Sequence, residues 1–143
     1  MTPSSQSGSS QGDATFVVSA VVLRDELGRI LVVRKRETSR YMLPGGKIEV
    51  GETPAHAAIR ELHEEVGAVL NEEELTFLGK WTTDAANEPG HLVQGHIFEH
   101  PWIADLSVQA EIEDLLWLHP DEMALRNDLA PLLTERVLPA LGF

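Results

Sequence analysis

Three glutamates, Glu61, Glu64 and Glu65, stand three and four residues apart. On an α-helix, which advances about 100° per residue, that spacing brings all three to one narrow face with only the small Ala57 among them. Like charges at these spacings repel by roughly 0.2–0.5 kcal/mol per pair on an isolated helix. Carboxylate oxygens gathered on one rigid element are what a hard cation such as Mg²⁺ or Mn²⁺ takes as ligands. The bland alternative is a solvated acidic face. It leaves two neighbouring features without a reason. Pro44-Gly45-Gly46 breaks regular structure just upstream, where backbone can approach a ligand closely. Seven of the 11 basic residues (Arg24, Arg29, Arg34, Lys35, Arg36, Arg40 and Lys47) crowd into the stretch before the helix. A local basic patch beside a cation site suits a small phosphorylated anion.

The elements that must hold these residues are readable from pattern. Thr53 is a hydroxyl N-cap, Pro54 takes the first helical position and Gly67 is the stop, which predicts a helix over 54–66. Ala55, Ala58, Ile59, Leu62 and Val66 form its core-facing stripe, away from the glutamates. The apolar run from Phe16 to Leu23, a turn at Asp25–Gly28 and a second run from Ile30 to Val33 predict a β-hairpin. Alternation along that second strand gives Arg34 and Arg36 the same face. Leu75–Thr82 and His91–Glu99 read as strands around a turn at 87–90, and Leu115–Leu118 as a short strand. A closing helix is expected from Asp128 to Leu141, with Pro131 in its first turn. Strands before, between and after two helices give an α/β (α+β) domain, a mixed sheet sandwiched between helices.

The length of 143 residues suits one domain. Residues 1–14, rich in Ser, Gly and Gln, are expected to be a disordered tail, with the folded domain at 15–143. Net charge is −12, so a nucleic-acid polymer is not an expected partner. There are no cysteines, which excludes disulfides and thiolate metal sites. No apolar run approaches a membrane span and no signal-peptide pattern opens the chain, so no membrane partner and a cytoplasmic location are expected. His91 and His96 should point to opposite faces of a strand, which argues against a histidine zinc site. Glu72–Glu74 reads as a solvated turn, and Trp81, Trp102 and Trp117 as core or rim residues.

The run from Gly46 to Ala68, GKIEVGETPAHAAIRELHEEVGA, resembles the Nudix box G-x5-E-x7-R-E-U-x-E-E-x-G-U. Every fixed position agrees except the last, where the usual bulky aliphatic is Ala68. The likeness implies a Nudix fold from about Phe16 to Leu141 and metal-dependent hydrolysis of a diphosphate linkage. It implies Glu61, Glu64 and Glu65 as metal ligands beside the Gly45 carbonyl, with Mg²⁺ or Mn²⁺ as cofactor. Glu61, or a carboxylate outside the box, is the implied base on the attacking water. Arg60, grouped with these catalytic residues, is implied to pair with Glu52 and hold loop against helix, while Gly46 and Gly67 allow the turns. A further acidic ligand is expected near the last strand, where Glu111 is preferred over Glu113. Arg34, Lys35 or Arg36 would stabilise charge on the leaving phosphate.

Substrate markers lie outside the box. No proline stands near Thr82-Thr83-Asp84, as ADP-ribose or nucleotide-sugar hydrolases of the family would have. Tyr41 is the only tyrosine, which disfavours dinucleoside polyphosphates. What remains resembles the MutT-like branch, acting on nucleoside di- or triphosphates, some of them oxidised purines. In that branch an asparagine before the last helix reads the purine, which points to Asn127; the alternative is that Asn127 or Asp128 caps the helix. The intact glutamates favour an enzyme over an inactive ligand-binding module. A homodimer is left open.

Overall fold

In a computed structural model of the chain, residues 14–109 and 111–143 are described. The expected tail lies outside these residues except for Ala14, whose carbonyl accepts the Leu92 N–H at 3.0 Å. The strands are β1 (Thr15–Leu23), β2 (Ile30–Lys35), β3 (Gly45–Lys47), β4 (Thr76–Asp84), β5 (Leu92–His100) and β6 (Ile112–Leu118). The helices are α1 (Pro54–Val66), a short α2 (Pro120–Met123) and a closing helix α3. This last begins as wide π-type turns, Leu132–Val137, and ends in one α-turn, Leu138–Ala140.

Four strands form a mixed sheet in the order β3-β1-β5-β4, with β1 parallel to β5 and the other pairs antiparallel. β2 pairs antiparallel with β6 in a separate ribbon. The expected hairpin is therefore corrected: β1 and β2 share only an isolated bridge, Arg24 to Ile30, and part into different sheets. The cause is burial on both faces. Val21–Leu23 and Ile30–Val33 are all buried with no polar alternation, as for strands covered from two sides.

Those strands separate two apolar layers. Ala20, Val22, Ile30 and Val32 pack with Leu132, Leu133 and Val137 of α3. Val21, Leu23, Leu31 and Val33 pack with Ala58, Leu62 and Val66 of α1. The domain is thus an α+β sandwich with strands between helices, as the sequence pattern predicts.

The closing helix starts later than expected. Leu129 forms a parallel bridge with Tyr41, and the Ala130 N–H donates to the Tyr41 carbonyl at 2.8 Å, so the chain is still extended where a helix was expected from Asp128. No side chain caps α3, and Asp128 pairs with Arg126 at 2.8 Å instead.

Candidate active site

The box helix is fixed at both ends by local chemistry. The Thr53 side chain accepts the His56 N–H at 3.1 Å, and Gly67, at φ 71°, closes the last turn by donating its N–H to His63. Ser19, fully buried in β1, donates its hydroxyl to the Pro54 carbonyl at 2.7 Å and ties the helix start to the sheet.

Before the helix, the Glu52 loop is held by a fork. Arg60 Nε and Nη2 donate to the two Glu52 oxygens at 2.6 and 2.9 Å, and Nη2 also reaches the Lys47 carbonyl at 3.0 Å. The guanidinium holds the Glu52 carboxyl down to about 2, well below the usual range. The same Arg60 contacts Glu61 Oε2 at 2.8 Å and Glu64 Oε1 at 3.4 Å. One cation thereby offsets the repulsion among three carboxylates.

The three glutamates of the helix occupy different depths. Glu64 is exposed, with 55% of its side chain accessible, while Glu61 and Glu65 retain 16% and 8%. Glu65 reaches under β3. Its Oε1 accepts the Gly45 N–H at 3.1 Å, and Lys35 Nζ stands 3.6 Å from Oε2. Burial pushes its carboxyl up to about 7, against the opposing pull of Lys35 and the Gly45 N–H. Glu61 lies under Gly46, where a Cβ would sit 2.4–2.6 Å from the Glu61 carboxyl group. At Gly45 a Cβ would meet the Ser19 carbonyl oxygen at 2.1 Å, because β3 pairs there with β1. Backbone therefore demands glycine at Gly45, whereas a side chain at Gly46 would displace the Glu61 carboxyl.

Beside this arrangement lies a cavity of about 200 Å³. Lys35, Gly45, Gly46 and Lys47 line it near the glutamates. Apolar walls come from Val18 and Val93 of the sheet and from Leu132 and Leu133 of α3. Asp84, Asn87 and Glu88, from the end of β4 and the turn after it, contribute polar lining. Phe16 lies at the rim with Lys47 Nζ 4.6 Å from its ring centre.

Several expected contacts fall elsewhere. Arg34 and Arg36 do not line the cavity, and Lys35 does. Alternation along β2 holds, with Arg34 on the face of Val32 toward Tyr41 and Lys35 on that of Val33 toward α1, so the expectation chose the wrong face. Arg34 donates to the Thr38 carbonyl at 2.9 Å and lies over the Tyr41 ring; Arg36 pairs with Glu113 at 2.9 Å. Glu111 is exposed, its carbonyl accepting the Arg36 N–H at 2.8 Å. Among the described residues no three His, Cys, Asp or Glu side chains converge into a cation cage, because Glu65 is turned inward and Glu61 is held by Arg60. Asn127 is exposed and lines no part of the cavity; its carbonyl, not its side chain, is engaged, by Arg40 at 3.4 Å. The polar residue that sequence reasoning passed over is Asn87, whose only signal was its place in a turn.

The donors fit a divalent cation in kind. They are oxygen only, carried on one helix that touches the Gly45 backbone through Glu65.

A carboxylate-bearing loop and helix stand beside a lysine-lined cavity on a mixed sheet between helices, and the chain's relatives make it a hydrolase acting on phosphorus-containing anhydrides. The chain belongs to the NUDIX family: the model of the NUDIX domain matches residues 14–140. A MutT-like protein of Streptomyces ambofaciens is 33% identical over 125 residues, covering 87% of this chain and 75% of that one. An 8-oxo-dGTP diphosphatase of Haemophilus influenzae is 40% identical over 62 residues, 41% of this chain and 46% of the relative. Other relatives are named CTP pyrophosphohydrolase and RNA pyrophosphohydrolase. The crystal structure of a MutT protein from Methanosarcina mazei Go1 superposes with a TM-score of 0.76 at 18% identity, covering 91% of this chain and 95% of that one, and shares the fold. Nudix hydrolases use divalent metal ions and act on small nucleotide substrates.

Proposed function

We propose that the protein is a MutT-like, Mg²⁺- or Mn²⁺-dependent pyrophosphohydrolase of nucleoside di- or triphosphates. The observation that carries this reading is Glu65, a buried carboxylate held between the Gly45 N–H and Lys35, two residues that themselves line the cavity. Glu61, Glu64, Glu65 and the Gly45 carbonyl are the groups that would hold the cation. Bound there, the cation acidifies water and neutralises charge on phosphate oxygens.

The chain's own residues account for the rest. Lys35 and Lys47, both lining the cavity, attract the phosphates and offset the charge that builds on the leaving group. Arg60 fixes Glu61, whose carboxylate lies under Gly46 and is placed to orient or deprotonate the attacking water. The apolar walls exclude bulk water and receive the nucleoside.

The test is a panel of nucleoside triphosphates, nucleoside diphosphates and ADP-ribose, with product identification, run with Mg²⁺, with Mn²⁺ and with excess chelator. Release of a nucleoside monophosphate, abolished by chelator and restored by either ion, is the expected result. Undiminished hydrolysis in chelator, or no hydrolysis of any nucleotide, overturns the reading.

A further inference from the structure

Three cationic side chains belong to this site, and they are held unequally. Arg60 is clamped: its Nε and Nη2 donate to the two Glu52 oxygens at 2.6 and 2.9 Å, and Nη2 also donates to the Lys47 carbonyl at 3.0 Å. Lys47 keeps its ammonium 4.6 Å from the centre of the Phe16 ring. Lys35 pairs with Glu65 alone among the described residues, Nζ standing 3.6 Å from Oε2. The carboxylate it serves is nearly sealed, with 8% of its side chain accessible, whereas 36% of the Lys35 side chain remains so. The other Glu65 oxygen accepts the Gly45 N–H at 3.1 Å.

That pairing sets two duties against each other. Without Lys35, Glu65 would be a buried carboxylate with a single N–H for company, a costly state. With Lys35 in place, the carboxylate that a cation would take already faces an ammonium. The ammonium that a phosphate would take is already committed to a carboxylate. A cation and the ammonium would repel each other at one carboxyl group. The flexible stem of a lysine can turn without backbone motion, and Lys35 already lines the cavity. Its charge can therefore leave Glu65 for the ligand space while Glu65 stays in place. Arg60 has no such freedom, because the fork to Glu52 fixes its plane.

We propose that Lys35 is an exchangeable counter-ion, its ammonium standing against Glu65 in place of the cation and passing to a nucleotide phosphate once the cation is bound. The exchange makes and breaks ion pairs only. Cation and nucleotide then bind cooperatively through one side chain, and each strengthens the other by the same factor, as linkage requires. This inference rests on the nucleotide and cation reading above.

A cycle of Lys35→Gln, Glu65→Gln and the double variant tests it, since glutamine removes each charge and keeps a polar group. Affinity for GMP, which has no anhydride to cleave, is measured by calorimetry with melting temperature as the check on folding. The measurement is made at about pH 8.5, above the value of about 7 to which burial raises Glu65, so that the ion pair is intact. Without metal, Lys35→Gln should cost GMP little. Glu65→Gln should tighten GMP roughly tenfold by freeing the lysine, and the double variant should lose most of that gain. In excess Mg²⁺ the wild type itself should bind GMP more tightly, and there Lys35→Gln should cost roughly tenfold. A Lys35→Gln penalty that is equal with and without Mg²⁺, or a Glu65→Gln gain that persists in full in the double variant, overturns the proposal. Should Lys35→Gln not fold, Glu65→Gln decides alone: metal-free GMP binding no tighter than in the wild type overturns it. Failure of hydrolysis in the panel above strikes the functional reading, whereas hydrolysis with equal penalties strikes only the role of Lys35.

Discussion

Burial and charge pull Glu65 in opposite directions. Removal from water disfavours its ionised form, while Lys35 at 3.6 Å and the Gly45 N–H favour it, and burial wins. Glu65→Gln keeps an oxygen for the Gly45 N–H and removes the burial penalty. Turnover should fall on the order of a hundredfold or more, with a metal-free melting temperature at or above that of the wild type. Turnover near wild type would show that the carboxylate is not needed. Gly46→Ala attacks the neighbouring glutamate: the new Cβ would meet the Glu61 carboxyl at 2.4–2.6 Å and push it off Arg60. Since the obstructed group is the end of a flexible side chain, stability should change little while turnover drops; unimpaired turnover would mean that Glu61 works from another position. At this scale the sequence revealed what depends on local spacing. The glutamate triplet, the Arg60–Glu52 spacing and the two glycines all lie within one loop and helix. Lys35 could not be told from Arg34 and Arg36, because alternation separates the two faces of β2 but only packing against α1 decides which of them meets the glutamates. Asn87 was hidden for a similar reason: only the distant Arg40 backbone gives its amide a direction.

Helix α1 joins chemistry to packing, with glutamates toward the site and Ala58, Leu62 and Val66 buried against β1 and β2. Leu62 has no accessible surface. Leu62→Ala should cost about 2–5 kcal/mol of stability, measured by denaturant unfolding, while the protein that remains folded keeps its turnover. A loss of turnover without a loss of stability would mean that the apolar face sets the glutamate geometry directly. This helix was readable to the residue because its signals, Thr53, Pro54 and Gly67, act within their own turns. The closing helix was not. Its start is set by the bridge between Leu129 and Tyr41, which keeps the chain extended through Asp128, and Tyr41 is remote in sequence. The hairpin expectation failed on the same ground: β1 and β2 find better partners in β5 and β6 than in each other.

Over the whole molecule, the net charge of −12 conceals a local grouping. Lys35 and Lys47 line the same cavity as Asp84 and Glu88, which composition alone does not show. The layered architecture was readable because it follows from which segments are apolar; the cavity was not, because α3, β1 and the β4–β5 turn meet only in three dimensions. Acid sensitivity is likewise a property of dispersed groups. Hydrogen bonds from the Arg126 guanidinium hold the Asp128 carboxyl below its usual value. Burial raises Asp25, but the Arg29 N–H and guanidinium and the Leu27 N–H outweigh it, so its net shift is also downward. Groups whose folded pKa lies below the unfolded one stabilise the fold above the unfolded value of 3.8 and lose that contribution as pH falls through the folded value. Glu65, shifted the other way, titrates at higher pH and is largely protonated in both states below about 4, so it does not mask this window. Melting temperature should therefore decline below about pH 4, and Asp25→Asn and Asp128→Asn should each flatten the decline while lowering stability at neutral pH. Neutralising surface acids relieves general repulsion and works in the opposite sense, which is why the single variants, rather than the wild-type curve alone, decide the matter. An acid limb unaltered by both substitutions would place the pH dependence elsewhere in the molecule.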